Sequence, residues 1–181
     1  MKKLVIYQVL LLAFFMTNAN AQTTDQNFKK EIGIRMNGLS DFDFIFKKQK
    51  AENKYRRMRL ISANFSIPDF EDFTSSFGLG VTYGKEKRKP LNDNLSLING
   101  WELIGRFGVN MSEEDLSFTF TPGIGYVLGF QYEINNKFIV NLETIPTLTT
   151  TINYAADELS ISNLKFGFNS NNIALGIMYK F

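Results

Sequence analysis

Arg35, Glu102, Arg106, Glu133, Glu143 and Lys165, joined by Arg57 and Arg59, are the side chains best placed to do chemistry, because each recurs at an alternate position within a stretch whose other members are apolar or small. Charges set among apolar residues must pair, titrate or reach water. The set mixes signs, with Arg35, Arg57, Arg59, Arg106 and Lys165 against Glu102, Glu133 and Glu143. Mixed signs favour a mutually neutralising network, whereas a ring of one sign would favour selection of a solute. Arg106 is expected to find its partner among the three glutamates, with Glu102 on its own strand and face.

Other chemistry is sparse. The 181 residues contain neither His nor Cys, which removes the commonest general base and nitrogen ligand, the thiol nucleophile, disulfides, thiolate metal sites and a lipid-bearing N-terminal Cys. No pattern of metal ligands or cofactor-binding residues is present, so no cofactor is expected. The adjacent carboxylates Glu113 and Glu114 read as a solvated turn, not a catalytic pair. Lys85-Glu86-Lys87-Arg88-Lys89 reads as an exposed basic loop; a site for anionic lipopolysaccharide or a protein partner is the sharper alternative. A net charge of +2 is too small and too dispersed for a nucleic-acid partner.

The elements that must carry these charges alternate with period two. From Leu116 to Ile134 every even position, Pro122 included, is apolar or aromatic, and the odd positions are small or polar apart from Val127. The same pattern recurs in segments 32–46, 77–83, 95–110, 138–154, 164–168 and 173–181. In 55–67 the pattern slips, because Arg57 and Arg59 share a parity with Ile61, Ala63 and Phe65, and a β-bulge is expected near Leu60. These segments make about eight strands in one domain. Polar loops are expected at Lys47 to Lys54, extending back toward Gly38, and at Lys85 to Asn94; tight turns are expected at Asn135-Asn136-Lys137 and Ser170-Asn171-Asn172. All four should lie at the end opposite the mature N-terminus.

Residues 1–21 have the build of a Sec export signal: Lys2 and Lys3, an apolar run from Leu4 to Met16, and a small-x-small cleavage site at Ala19 and Ala21. The mature chain, 22–181, has no further stretch approaching a helical membrane span, so residence in a membrane would require a closed barrel. The 18 Phe and 7 Tyr suit a lipid-facing wall with aromatic girdles. A polar parity rich in Gly, Ser and Thr, not Lys and Glu, suits a crowded interior better than a watered surface. The competing reading is a soluble, lipocalin-like exported binding barrel with the faces reversed.

The signal segment, the alternating strands and the ending Ile177-Met178-Tyr179-Lys180-Phe181 resemble the small OmpA/OmpX-type outer-membrane barrels. Thr121-Pro122-Gly123-Ile124-Gly125-Tyr126 and the Asn- and Phe-rich style resemble outer-membrane β-barrel (porin family) proteins of Bacteroidetes in particular. The resemblance implies an all-β, eight-stranded antiparallel up-and-down transmembrane barrel in the bacterial outer membrane, monomeric, surrounded by outer-membrane lipid and lipopolysaccharide. It also implies that Ile177, Tyr179 and Phe181 form the signal read by the barrel assembly machinery. Outer-membrane enzymes of similar architecture rely on histidine, which this chain lacks, so a structural, envelope-stability or interaction role is expected. A narrow channel or a transport or secretion component is the alternative.

Overall fold

The computed structural model describes residues 29–37, 42–66, 75–111, 116–155, 158–162, 164–168 and 173–181. The export segment with Ala19 and Ala21, the Glu113–Glu114 pair and the expected turn at Ser170-Asn171-Asn172 lie outside the described residues.

The strands are β1 (Lys30–Met36), β2 (Phe42–Ala51), β3 (Lys54–Ser66), β4 (Ser75–Pro90), β5 (Leu95–Met111), β6 (Leu116–Glu133), β7 (Phe138–Thr144), β8 (Thr147–Thr149), β9 (Ile152–Ala155), β10 (Glu158–Ile161), β11 (Lys165–Gly167) and β12 (Ile173–Lys180). All pairings are antiparallel. Each strand from β1 to β6 pairs with the next. β7, β8 and β9 pair in turn along β6 and so form one interrupted strand. β12, β11 and β10 pair with β7, β8 and β9 and form another. Pairing of β1 with β12 closes the sheet into an eight-stranded barrel.

Proline accounts for the first interruption. Pro146, between β7 and β8, has no N–H to give, yet its carbonyl accepts from Tyr126 N at 3.0 Å, so the ladder to β6 continues past it. At the seam, Lys30 and Phe181 exchange both backbone hydrogen bonds, at 3.0 and 2.9 Å.

The total of eight matches the sequence reading, but two of the strands differ. Segment 32–46 is not one strand: β1 and β2 form a hairpin in which Ile32 opposes Phe46 and Ile34 opposes Phe44. Segments 164–168 and 173–181 belong instead to a single interrupted strand. The loop placement is overturned with them. β2 runs on to Ala51 and β4 to Pro90, leaving short turns that are each tied to the next strand along, the first by Arg88 N to Asn53 O at 2.9 Å and the second by Glu133 N to Asn94 O at 2.8 Å. These turns and the one at 134–137 share the end of the barrel that carries Lys30 and Phe181; Lys180 N, for instance, donates to Lys137 O at 2.7 Å.

Asparagine builds all three turns. Asn53 takes the left-handed φ of 56°. Asn92 Oδ1 accepts from the backbone of Asn94 and Leu95 at 3.0 and 2.8 Å, and Asn135 Oδ1 from Lys137 and Phe138 at 2.8 Å each. The bulge expected near Leu60 is present as a register shift between Leu60 and Ser62. It lets Arg57 and Arg59 face inward while Ala63 and Phe65 point outward, Phe65 being 75% exposed.

The two faces are inverted relative to a soluble protein. Buried positions hold Glu31, Arg35, Asp43, Lys47, Arg57, Arg59, Glu86, Arg88, Glu102 and Glu143, whereas Phe44, Leu103, Tyr126 and Leu142 are each about half exposed on the outer wall.

Candidate functional site

Inward positions of β1 to β5 and β7 place ten charged side chains in one contiguous cluster across the lumen. Arg57, fully buried on β3, is its hub: its guanidinium lies 2.7 Å from Glu143, 3.0 Å from Glu86 and 3.3 Å from Glu102. Lys47 bridges Glu86 at 2.6 Å and Glu143 at 3.2 Å. Arg59 pairs with Glu102 through two nitrogens and with Asp43. Arg35 holds Asp43 at 3.0 Å and approaches Glu143 at 3.7 Å. Toward the chain termini, Arg88 joins Glu86 at 2.7 Å to Glu31 through a two-pronged contact at 2.7 and 2.6 Å, and its guanidinium stacks 3.6 Å from the Tyr55 ring.

The signs cancel. Arg35, Lys47, Arg57, Arg59 and Arg88 face Glu31, Asp43, Glu86, Glu102 and Glu143, five against five. Thr82 adds a hydroxyl to Glu102 at 3.4 Å. Opposite these charges the wall is small or aliphatic. Ile98, Val127 and Ile145 form one buried group and Ile45, Ile139 and Met178 another. Glycine makes room at the ring: a Cβ on Gly84 would stand 2.7 Å from Glu102 Cβ, and one on Gly125 would stand 3.3 Å from Glu102 Cγ and 2.8 Å from Ile145 Cγ2. Side chains therefore fill the cross-section, as the narrow bore of an eight-stranded barrel permits.

The remaining expected residues are not in the cluster. Arg106 stays on the inward parity but is exposed, lining a cavity of about 560 Å³ that opens beyond Arg35, Asp43 and Arg59 toward the end away from the termini. Among the described residues it makes no ion pair; Glu102, its expected partner, is held by Arg59 and Arg57, which reach it from two strands away in the register. Glu133 pairs with Lys180 at 2.7 Å, apart from the cluster. Lys165 opposes Thr149 on the inward parity and is exposed, with no ion pair among the described residues. Ile177 and Tyr179 face outward on β12 opposite Ile34 and Ile32. Tyr179 stacks with Phe181 at 6.5 Å and meets Phe138 edge-on at 5.5 Å.

No protein-family model matches the chain, and no curated protein sequence matches it either. Among solved structures the chain is similar to Neisserial surface protein A (NspA), at 11% identity and a TM-score of 0.45, over 85% of this chain and 94% of that one. It is also similar to Ail, the attachment invasion locus protein of Yersinia pestis, at 13% identity and a TM-score of 0.42, over 85% and 95%. CarO of Acinetobacter baumannii follows at 10% identity and a TM-score of 0.36, over 84% and 95%.

Half of the cluster was not singled out from sequence. Asp43 alternates with Phe42 and Phe44, and Glu31 precedes Ile32, so both lay on a recognisable polar parity. The sequence pattern places Lys47, Glu86 and Arg88 in loops. The signal for them was the parity itself: Gly78, Gly80, Thr82 and Gly84 run on without a break into Glu86 and Arg88.

Proposed function

We propose that the chain is an integral barrel of the bacterial outer membrane, exported through the Sec pathway, with a structural, envelope-stabilising or interaction role and a lumen closed to solutes. The observation that carries this reading is the buried, charge-balanced cluster centred on Arg57, set inside a wall whose outer face is apolar. A soluble barrel with half-exposed Phe, Leu and Tyr all round would present far more than the few hundred Å² of contiguous apolar surface that monomeric soluble proteins tolerate. In lipid the same wall is in its proper solvent, and the pairing of β1 with β12 closes the ladder around the barrel.

The wall is surrounded by outer-membrane lipid and lipopolysaccharide, the protein acts as a monomer without a cofactor, and its role is not catalytic. Small barrels of Bacteroidetes remain the group in which relatives are to be sought. Closure is tested in planar bilayers: the refolded protein is expected to give no steady unitary current. A steady conductance would overturn the closed lumen and favour a narrow channel or transport component.

Ile177, Tyr179 and Phe181 serve the barrel assembly machinery. Deleting Phe181, or Phe181→Asp, removes the aromatic end of the closing strand together with its contacts to β1. Loss of the folded, heat-modifiable form from the outer membrane is expected, while export across the inner membrane persists. Normal amounts of folded barrel after either change would remove this role from Phe181.

A further inference from the structure

The antiparallel register aligns an outward apolar row with an outward cationic row beside it. Ile32, Phe46, Met58, Tyr83, Leu103 and Ile124 are successive partners across β1 to β6. Two residues nearer the chain termini the row reads Lys30, Lys48, Arg56, Lys85, Trp101 and Tyr126. One step further, Lys54 opposes Lys87 and Lys87 opposes Asn99. Lys50 stands at the irregularity between Gln49 and Ala51. A groove of about 460 Å³ runs between Lys50, Lys54, Arg56, Lys85, Lys87 and Trp101 on this outer face; Glu86 also borders it, but its side chain is fully buried.

Among the described residues no Asp or Glu occupies an outward position on β1 to β5. Glu86, the acid inside the basic run, points into the lumen and is held by Lys47, Arg57 and Arg88, while Glu52 lies in the turn. Cations directly opposite one another across strands repel, and among the described residues β1 to β5 supply no counter-charge on the same face.

We propose that this groove binds the phosphate headgroup of an anionic diacyl phospholipid, in the leaflet bordering the chain termini. The inference rests on the membrane-spanning reading. A lipid fits better than a soluble polyanion because the cationic and apolar rows are adjacent. One molecule with a phosphate and acyl chains covers Lys85 and Arg56 with its head and Tyr83, Met58 and Leu103 with its tails. Trp101 and Tyr126 complete the cationic row with the amphipathic rings that settle at headgroup depth, and Lys85 Nζ lies 5.7 Å from the Trp101 ring centre.

Trp101 is the single Trp of the chain and reports on the groove directly. The full mature protein is refolded into vesicles of phosphatidylcholine and phosphatidylglycerol at one fixed ratio, with either lipid carrying brominated acyl chains, and quenching of Trp101 is compared. One cation near an anionic surface is worth about a fivefold preference, so brominated phosphatidylglycerol is expected to associate at Trp101 at least about fivefold more strongly than brominated phosphatidylcholine. The preference should vanish in the triple variant Arg56→Gln, Lys85→Gln, Lys87→Gln and survive in Lys85→Arg, Lys87→Arg. Equal quenching by the two lipids in the unmodified protein overturns the proposal, as does a preference that persists in the triple Gln variant. Equal quenching combined with tight, salt-reversible binding of inorganic polyphosphate would make the groove a soluble polyanion site instead. No quenching by either lipid, with no heat-modifiable form on gels, would overturn the membrane reading itself.

Discussion

Replacing Arg57 with Met is expected to destabilise the folded barrel by about 3 to 5 kcal/mol, read as the loss of unfolding free energy in urea for protein refolded into lipid vesicles. The size follows from the site. Arg57 is fully buried and stands between Glu86, Glu102 and Glu143, so its removal leaves four cations facing five carboxylates where water is largely excluded. Leaving a buried charge uncompensated costs that much, whereas removing both members of a pair costs far less. Adding Glu143→Gln to Arg57→Met should therefore recover part of the loss, with a coupling of about 0.5 to 3 kcal/mol between the two sites. Arg106→Met is the contrast: exposed and outside the cluster, it should shift stability by no more than about 0.5 kcal/mol. Strictly additive effects of the Arg57 and Glu143 changes would mean that the two do not neutralise one another. An Arg106→Met loss as large as that of Arg57→Met would return Arg106 to the network.

The alternation exposed the faces of the strands but not their partners. Parity alone put Arg35, Arg57, Arg59, Glu102 and Glu143 on the inward side, and all five meet in the cluster. What parity cannot supply is the stagger between strands, and stagger decides which charges touch. Glu102 and Arg106 look like neighbours along β5, yet Arg59 and Arg57 reach Glu102 first because β3 and β4 bring them level with it. The hairpin between β1 and β2 was hidden because the same parity survives the turn: Ile32, Ile34 and Met36 are even, and so are Phe42, Phe44 and Phe46. Charge density misled at Lys85 to Lys89, where five charged residues in succession suggested a loop. In a barrel wall extending past its apolar band, alternate members of such a run face opposite solvents, which sends Glu86 and Arg88 inward and Lys85, Lys87 and Lys89 outward.

Ion pairs in a core are weak evidence for stability, since well-packed hydrophobes of the same volume often serve as well or better. Their value here lies in distinguishing the faces. An apolar filling would make both parities of each strand acceptable to lipid, and a slip of one residue would turn every side chain to the other face at little cost. With Lys47, Arg57 and Glu86 on the inward parity, the same slip would expose several charges to hydrocarbon at once. On the proposed membrane-spanning reading, the cluster closes the bore and fixes the register together.

The outer wall carries the second large effect. Leu103 is 52% exposed on β5, flanked by Tyr83 and Ile124 in the apolar row. An Arg on the lipid face costs about 2 to 4 kcal/mol at the bilayer midplane and about 0 to 1 kcal/mol near an interface. Leu103→Arg is accordingly expected to lower the free energy of folding into vesicles by an amount toward the upper range. Asn99→Arg, two outward positions nearer the termini in the row of Lys54 and Lys87, should cost less than about 1 kcal/mol. Phe107→Arg, on the other side of Leu103 and removing a ring stacked 4.6 Å from Phe120, should be at least as costly as Leu103→Arg. The gradient along one strand is the discriminating quantity. A soluble barrel would accept Arg at Asn99 and Leu103 alike, because both would face water. Equal and small effects at the two positions in refolding titrations would therefore defeat the lipid-facing assignment of β5, whereas a steep rise between them places the edge of the hydrocarbon between the cationic row and the apolar row.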